Sequence, residues 1–476
     1  MHKMKFLKLD NHNVTLQILT QIEKKVKKIY ELQIIMSKLL NQKIRYMAQI
    51  NPPVNNEWIF VHNIYGYIFS AYLDLRPEVI VTNDLLKDDL PWAQVRIIAI
   101  LPPELINNPQ IDCVYKLTTK KHSIYQRQSA RVQTFEHYVN LKYVASFILC
   151  DLFHINHSQD ESLDKELPES IGIIKKLWKD SSITQFIDIH YPKNGFNQHQ
   201  RWNNKKSIAL CIPKIIQKNF NNTLALIKFI EYYRLIGIEQ FTFYKTSIAQ
   251  KINSVLKFYE SMNIVSVISF IHIDDNKISQ FQGLSAALND CHYRTSFYND
   301  YEYIGVFDID EFLILKHHKS VEGLLQYLDP SALKQDYSQY TSFSFTNIHP
   351  SDTGNISNKA FNLQSRIIPQ RFSEKSYIDW KQYIVRAHDI TKLPHQLSGL
   401  QMNRNFVHHS FNKRFQEMIV DPAVAFLHYS APNKAEKTGF YAESMEIDAL
   451  MKKLNKMVEK VCASIFESKE CPPSDE

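Results

Sequence analysis

The chain has 476 residues, 44% of them hydrophobic and 22% charged, with a formal net charge of +7. That length holds about two or three domains, and only ten glycines exclude a Gly-rich repeat or linker protein. The basic residues are scattered, which excludes the concentrated basic face of a nucleic-acid binder and leaves a mild attraction for an anionic substrate such as a nucleotide.

The six cysteines, Cys113, Cys150, Cys211, Cys291, Cys462 and Cys471, contain no CxxC pair and no Cys/His cluster of zinc-site spacing. An even count permits disulfides without demanding them. The opening "MHKMKFLKLDNHNVTLQ" lacks the apolar run of a signal peptide. No window reaches the ~18 apolar residues of a membrane span, so no transmembrane segment is expected within this sequence.

From about Val14 to Ile50, Ile18, Ile22, Val26 and Ile29 recur at helical spacing with lysines between the later ones. Residues 1–50 are therefore expected to form a helical extension or stem that packs on a core or self-associates. Residues 51–153 favour strands: "WIFVHNIYGYIFSAYLD" and "VRIIAILPPELI" are rich in aromatic and β-branched side chains. The polar "HINHSQDESLDKEL" opens a segment, 154–206, that reads as a linker or surface loop.

Residues 207–430 show the clearest order. "SIALCIP", "QFTFYK", "IVSVISF" and "YIGVFDID" read as strands. Between them lie helices: one with Asn222 as N-cap and Gly237 just past its end, one with Ser247 as candidate cap, and "ISQFQGLSAALNDCHYRTSFYND". Strand and helix in alternation predict βαβ units and a mainly parallel sheet, whose strands are continuously apolar because both faces are covered. Later strands are expected in "YTSFSFTNI", "KQYIVRAH" and "AVAFLHYS", and residues 431–476 form a charged terminal helix and tail.

The stretch "YIGVFDIDEFLIL", Tyr303–Leu315, places Asp308, Asp310 and Glu311 inside an otherwise apolar run. Ligands bind outside the carboxyl ends of strands in open α/β sheets. Residues two apart on a strand share a face, so the two aspartates converge and Ile309 points away. Two adjacent carboxylates repel unless a cation compensates. Mg2+ or Mn2+ suits the pair, held by one or two carboxylates and substrate phosphates, and would neutralise a leaving diphosphate. The alternative is structural hydrogen bonding, which needs abundant buried donors.

These features resemble glycosyltransferase family 92. The carrying stretches are "IEYYRLIGIEQFTFYKTS", "FQGLSAALNDCHYRTSFYNDYEYIGVFDIDEFLIL", "KQYIVRAHDITKLPH" and "AVAFLHYS", with "FSAYLDLRPE" and "VRIIAI" as lead-in strands. The resemblance implies a GT-A-like fold with a central, mainly parallel mixed sheet. It also implies an inverting, metal-dependent hexosyltransferase that moves galactose from UDP-galactose to a glycan or glycoprotein acceptor. Animal relatives are Golgi proteins held by a membrane anchor, which this sequence does not show. It departs from the family again in reading His-Tyr-Ser at His428–Ser430, where an arginine is usual.

Carried onto this chain, the resemblance makes His428 a third metal ligand beside Asp308 and Asp310, neutral imidazole suiting Mn2+. Glu311 either supports the ligands by hydrogen bonding or shapes the turn. Tyr244 is expected to stack on the uracil, and Gln282, Asn289 and Asp290 to approach one helix face toward the donor. Arg294 is placed to clamp the diphosphate. Arg386 and His395 match family positions without a role, and Cys211 and Cys291 match family cysteines that a disulfide would join. The catalytic base, an Asp or Glu in reach of the acceptor hydroxyl, is sought among Asp352, Glu374, Asp379 and Asp389.

Two other readings compete. In a haloacid-dehalogenase-like phosphohydrolase the first aspartate after a strand is the nucleophile and the second is the acid. Such enzymes usually carry Thr or Val where Phe312 stands. A non-catalytic carbohydrate- or nucleotide-binding protein on the same scaffold is the other.

Overall fold

A computed structural model describes residues 2–53, 57–81, 90–118, 123–135, 141–153, 167–177, 185–196, 207–213, 216–217, 219–270, 280–330, 340–345, 347–348, 382–387, 417–429 and 445–472. Helix α1 (His2–Ile50) opens the chain. Met36, Leu40, Ile44 and Met47 recur three or four apart and are buried in one core, while Val26 and Ile29 pack on Ile80. The side chain of Ile18 lies outside those described. Gln33 anchors the helix, its amide donating to the carbonyls of Leu75 and Trp92 at 2.7 Å each.

A largely antiparallel sheet follows. Its elements in chain order are β1 (Ile59–Val61), β2 (Gly66–Asp74), α2 (Pro77–Val81), β3 (Ala93–Leu101), α3 (Pro103–Asn107), β4 (Ile111–Thr118), β5 (Ser123–Ser129), β6 (Arg131–Thr134), β7 (Val144–Leu152), β8 (Ser170–Lys175) and β9 (Ile187–His190). The order across the sheet is β5-β4-β8-β9-β2-β3-β7-β6, with β1 beside β2. Alternation along the strands sends side chains to two cores. Val95, Ile97, Ala99 and Leu101 meet α1, whereas Ile98 and Ile100 face the other way. The segment 154–206, expected as a linker, supplies β8 and β9 to the middle of this sheet. The short apolar runs "SIGIIK" and "IDIH" carry them inside polar surroundings.

The second sheet is built from β10 (Ile208–Cys211), α4 (Thr223–Leu235), β11 (Gln240–Lys245), α5 (Gln250–Ser261), β12 (Val265–Ser269), α6 (Gln280–Tyr293) and β13 (Tyr303–Val306). These strands are mutually parallel, ordered β12-β11-β10-β13, as the alternating pattern predicts. Asn222 caps α4, its side chain accepting from the Ala225 amide at 2.9 Å, and Gly237 follows at φ +100°. Ser247 does not cap α5: Ala249 occupies that position without a side-chain bond. Gly305 is required by close approach, because a Cβ there would lie 2.5 Å from Leu210 of the neighbouring strand.

The chain continues through β14 (Glu311–Leu315), α7 (Val321–Leu328), β15 (Ser342–Phe345), β16 (Asn347–Ile348), β17 (Gln382–Arg386), β18 (Glu417–Ile419), β19 (Ala425–Tyr429) and α8 (Met445–Ile465). Strands β17, β15 and β18 extend the second sheet beyond β13, and β17 pairs antiparallel to it, so the sheet is mixed. Strands β14, β19 and β16 form a small third sheet. The terminal helix is not a detached appendix. Leu454, Val458, Val461 and Cys462 of α8 share one core with α4 and α5, and Thr223 donates to the carbonyl of Pro472 at 3.1 Å.

All six cysteines pair: Cys113–Cys150 within the first sheet, Cys211–Cys291 between β10 and α6, and Cys462–Cys471 at the C-terminus. Helix α6 is covered on both sides. Ala286, Leu288, Cys291 and Tyr293 share a core with Ile98, Ile100 and Phe147 of the first sheet and with Tyr244, Ile304 and Val306 of the second. A fragment beginning at residue 206 therefore leaves one face of α6 bare. We expect it to bind a hydrophobic dye and to lose a cooperative melt, whereas the whole chain melts sharply. A fragment with a sharp melt and no dye binding would show that the first sheet is dispensable.

Candidate active site

In the second sheet, β11 and β13 flank β10 on opposite sides. Connections leave β10 and β13 in opposite directions, and a crevice opens at the carboxyl ends of such strands. Asp308 lies two residues beyond the end of β13, and Val306 pairs in register with Cys211 at the end of β10.

The run Tyr303–Leu315 is not one strand, as its continuous apolar character suggested. It is two strands in different sheets joined by a turn over residues 307–310. Tyr233 of α4 fixes both sides of that turn. Its ring stacks on Phe307 at 5.5 Å, its hydroxyl donates to the Glu311 carbonyl at 3.0 Å, and it accepts from the Leu313 amide at 3.1 Å. Ile309 is buried, while Asp308 and Asp310 on either side of it are half-buried. Ile309 thus points inward between Asp308 and Asp310, which stand in a turn and not on the single strand that was expected.

Glu311 closes the turn. Its Oε2 accepts from the Asp308 amide at 2.8 Å, and the Glu311 amide donates back to the Asp308 carbonyl at 3.0 Å. Antiparallel pairing of β14 with β19 sets His428 opposite Phe312 and Tyr429 opposite Glu311. The backbone of His428 therefore stands beside the strand that leaves the turn; its side chain lies outside those described. Among the described residues no group of three or more His, Cys, Asp or Glu is gathered as a metal cage. Two half-buried aspartates still match a cation bound by one or two carboxylates together with substrate phosphates.

Tyr244, Asp290 and Arg294, expected around the donor, come together elsewhere in the core. All three are buried. Asp290 Oδ1 accepts from the hydroxyls of Ser70 at 2.6 Å and Tyr72 at 2.7 Å. Its Oδ2 accepts from Tyr244 at 2.5 Å and from Arg294 Nε and Nη2 at 3.0 and 2.9 Å. Burial alone would raise the Asp290 carboxyl, but the Arg294 charge and the three hydroxyls hold it below its ordinary value. These side chains thus serve one another and the first sheet.

A second buried cluster stands beside it. Asp74 accepts from Arg76 Nε at 2.9 Å and Nη2 at 2.7 Å and from the Tyr293 hydroxyl at 3.1 Å, with Arg96 Nε 3.1 Å away. Burial opposes ionisation of Asp74, and the two arginines overcome it and depress its carboxyl.

Of the other expected residues, Asn289 is buried and donates to the Ser285 carbonyl of its own helix at 2.8 Å. Gln282 lies on α6 with its side chain outside those described. Arg386 ends β17 and is buried. Asp352, Glu374, Asp379, Asp389 and His395 lie outside the described residues. Sequence reasoning missed Ser70, Tyr72, Asp74 and Arg76. Ser70, Tyr72 and Asp74 gave one signal, polar side chains at alternate positions of the otherwise apolar strand β2; Arg76 lies two residues beyond its end.

The fold and the turn together define an α/β protein with an acidic, half-buried turn beyond the carboxyl end of a strand in a mainly parallel sheet. Residues 206–465 match glycosyltransferase family 92. The chain belongs to that family and is a glycosyltransferase, which sets the phosphohydrolase reading aside. Comparison with curated proteins found no match. Among solved structures, it is similar to S. aureus TarS residues 1–349, at 10% identity over 54% of this chain and 70% of that one, with a TM-score of 0.26. It is also similar to glucosyl-3-phosphoglycerate synthase from Mycobacterium tuberculosis, described in complex with Mg2+ and uridine diphosphate. There the identity is 11% over 59% of this chain and 84% of that one, with a TM-score of 0.24.

Breaking the Asp290–Arg294 pair with Arg294→Met leaves a buried uncompensated carboxylate. We expect a loss of about 3–5 kcal/mol in denaturant unfolding; a change under about 0.5 kcal/mol, the range of surface substitutions, would contradict the role.

Acid should weaken the same region. Burial, then the Arg294 charge, lowers His190 to about 4; burial, then Arg76, lowers His292 to about 3. Both are neutral when folded but protonate near 6.5 when unfolded. Stability is therefore full above pH ~6.5 and falls below it by up to about 1.4 kcal/mol per pH unit per histidine. Melting at pH 7 and 5 reads this, and His292→Gln should flatten the slope.

Proposed function

We propose that this chain is an inverting, metal-dependent hexosyltransferase that transfers galactose from UDP-galactose to a glycan or glycoprotein acceptor, using Mn2+ or Mg2+. One observation carries the reading: Asp308 and Asp310 stand half-buried around buried Ile309 at the carboxyl end of β13, in a chain of glycosyltransferase family 92.

Asp308 and Asp310 are the residues that would hold the ion, and His428, on the strand paired with β14, would complete its protein ligands. When bound, a divalent ion supplies charge neutralisation for the departing diphosphate. Glu311 orients Asp308 through its amide, and Tyr233 keeps the turn from swinging. Asp290, Tyr244 and Arg294 hold α6 and β11 as the floor beneath the donor. The base that takes the acceptor proton is one of Asp352, Glu374, Asp379 and Asp389, all of which follow the turn in the chain. Three disulfides favour an oxidising compartment and so support the secretory pathway. Among the described residues no helix is long and apolar enough to cross a membrane.

Thermal shift and turnover test this. UDP is expected to raise the melting temperature only when Mn2+ is present, and inorganic phosphate to leave it unchanged. Asp310→Asn should lower transfer from UDP-galactose by about 100-fold or more, the scale of removing a group that stabilises transition-state charge, with unfolding stability altered by under about 0.5 kcal/mol. Equal turnover in the variant contradicts the metal assignment. UDP binding without turnover on any UDP-sugar points to the non-catalytic reading.

A further inference from the structure

Helix α1 has two apolar faces, and among the described residues only one packs against a core. The buried face fixes its rotation through Met36, Leu40, Ile44 and Met47. Outside that face stand Ile34, Ile35, Leu39, Tyr46 and Ile50, each between 44% and 58% exposed. Five of the twelve exposed large hydrophobics among the described residues lie within these seventeen positions, so the clustering is not the ordinary scatter of single surface apolars. At 3.6 residues per turn, Ile35, Leu39, Tyr46 and Ile50 fall in a sector about 60° wide. Lys28 lies inside that sector, and Lys24, Lys25 and Lys43 lie within about 20° of its edges.

The charge pattern selects the occupant. Residues 20–50 carry seven lysines and arginines against two glutamates. Two copies of this stripe paired in parallel would set Lys24 and Lys28 against their counterparts, which opposes parallel self-pairing. A soluble polyanion would satisfy the lysines and leave the isoleucines in water. An anionic bilayer surface satisfies both, with apolar side chains at the headgroup boundary and lysines among the phosphates. The helix is too polar to span the bilayer. We infer that α1 docks the protein on anionic membrane surfaces, lying in the interface with Ile35, Leu39, Tyr46 and Ile50 inserted and Lys24 and Lys28 on lipid phosphates. This holds whether or not the transferase reading is correct.

The test is flotation of the whole chain with phosphatidylcholine vesicles, with and without phosphatidylserine. We expect binding only to the serine-lipid vesicles, weakened by salt. Ile35→Ser with Leu39→Ser should lower the affinity about tenfold or more, and Lys24→Glu with Lys28→Glu should do the same. Melting temperature and UDP protection should be unchanged in both variants. No binding to either vesicle, or unchanged binding in both variants, overturns the inference. So does a dimer in sedimentation that Ile35→Ser with Leu39→Ser dissolves, since the stripe would then be a seam between copies.

Discussion

Helix α6 lies between two sheets, and the buried carboxylate of Asp290 is satisfied only when both are in place. Ser70 and Tyr72 come from the first sheet, Tyr244 from the second, and Arg294 from the turn that continues the helix. A carboxylate taken out of water costs several kcal/mol unless its lone pairs are met. Removing either wall therefore strips this carboxylate of its hydroxyl donors on that side, leaving Arg294 and the other wall to hold it. The N-terminal sheet accordingly shares one core with the second sheet and is not a separate module.

That constraint reaches the candidate site through short connections. Cys291, next to Asp290, is bonded to Cys211 at the end of β10, and β10 pairs with β13, which delivers the acidic turn. On the opposite face, α4 reaches the turn through Tyr233. Asp308 and Asp310 are thus held from both faces of one sheet, while both residues are only half-buried. Rigid backing with an open front is what a site needs when part of the cation's shell comes from the substrate.

Much of this was readable from local signals. Asn222 and Gly237 bracket α4, and the alternation of apolar runs with amphipathic segments gave the order β10 to β13. Asp308 and Asp310 stood out because carboxylates are rare in an apolar run. What escaped reading was long-range. Nothing near Asp290 announces partners at Ser70 and Tyr72, more than two hundred residues away, so its buried network was not foreseen. The turn at residues 307–310 was hidden because "YIGVFDIDEFLIL" serves two sheets, and an apolar run does not report which sheet its halves join. Strands β8 and β9 were lost because four to six apolar residues give little signal inside polar sequence.

The account turns on where the cation and the nucleotide sit. Crystals grown with Mn2+ and UDP, measured at the manganese absorption edge, locate the ion directly. The expected result is an anomalous peak beside Asp308 and Asp310 with the diphosphate against it. A peak elsewhere, or UDP bound away from the turn between β13 and β14, would contradict it.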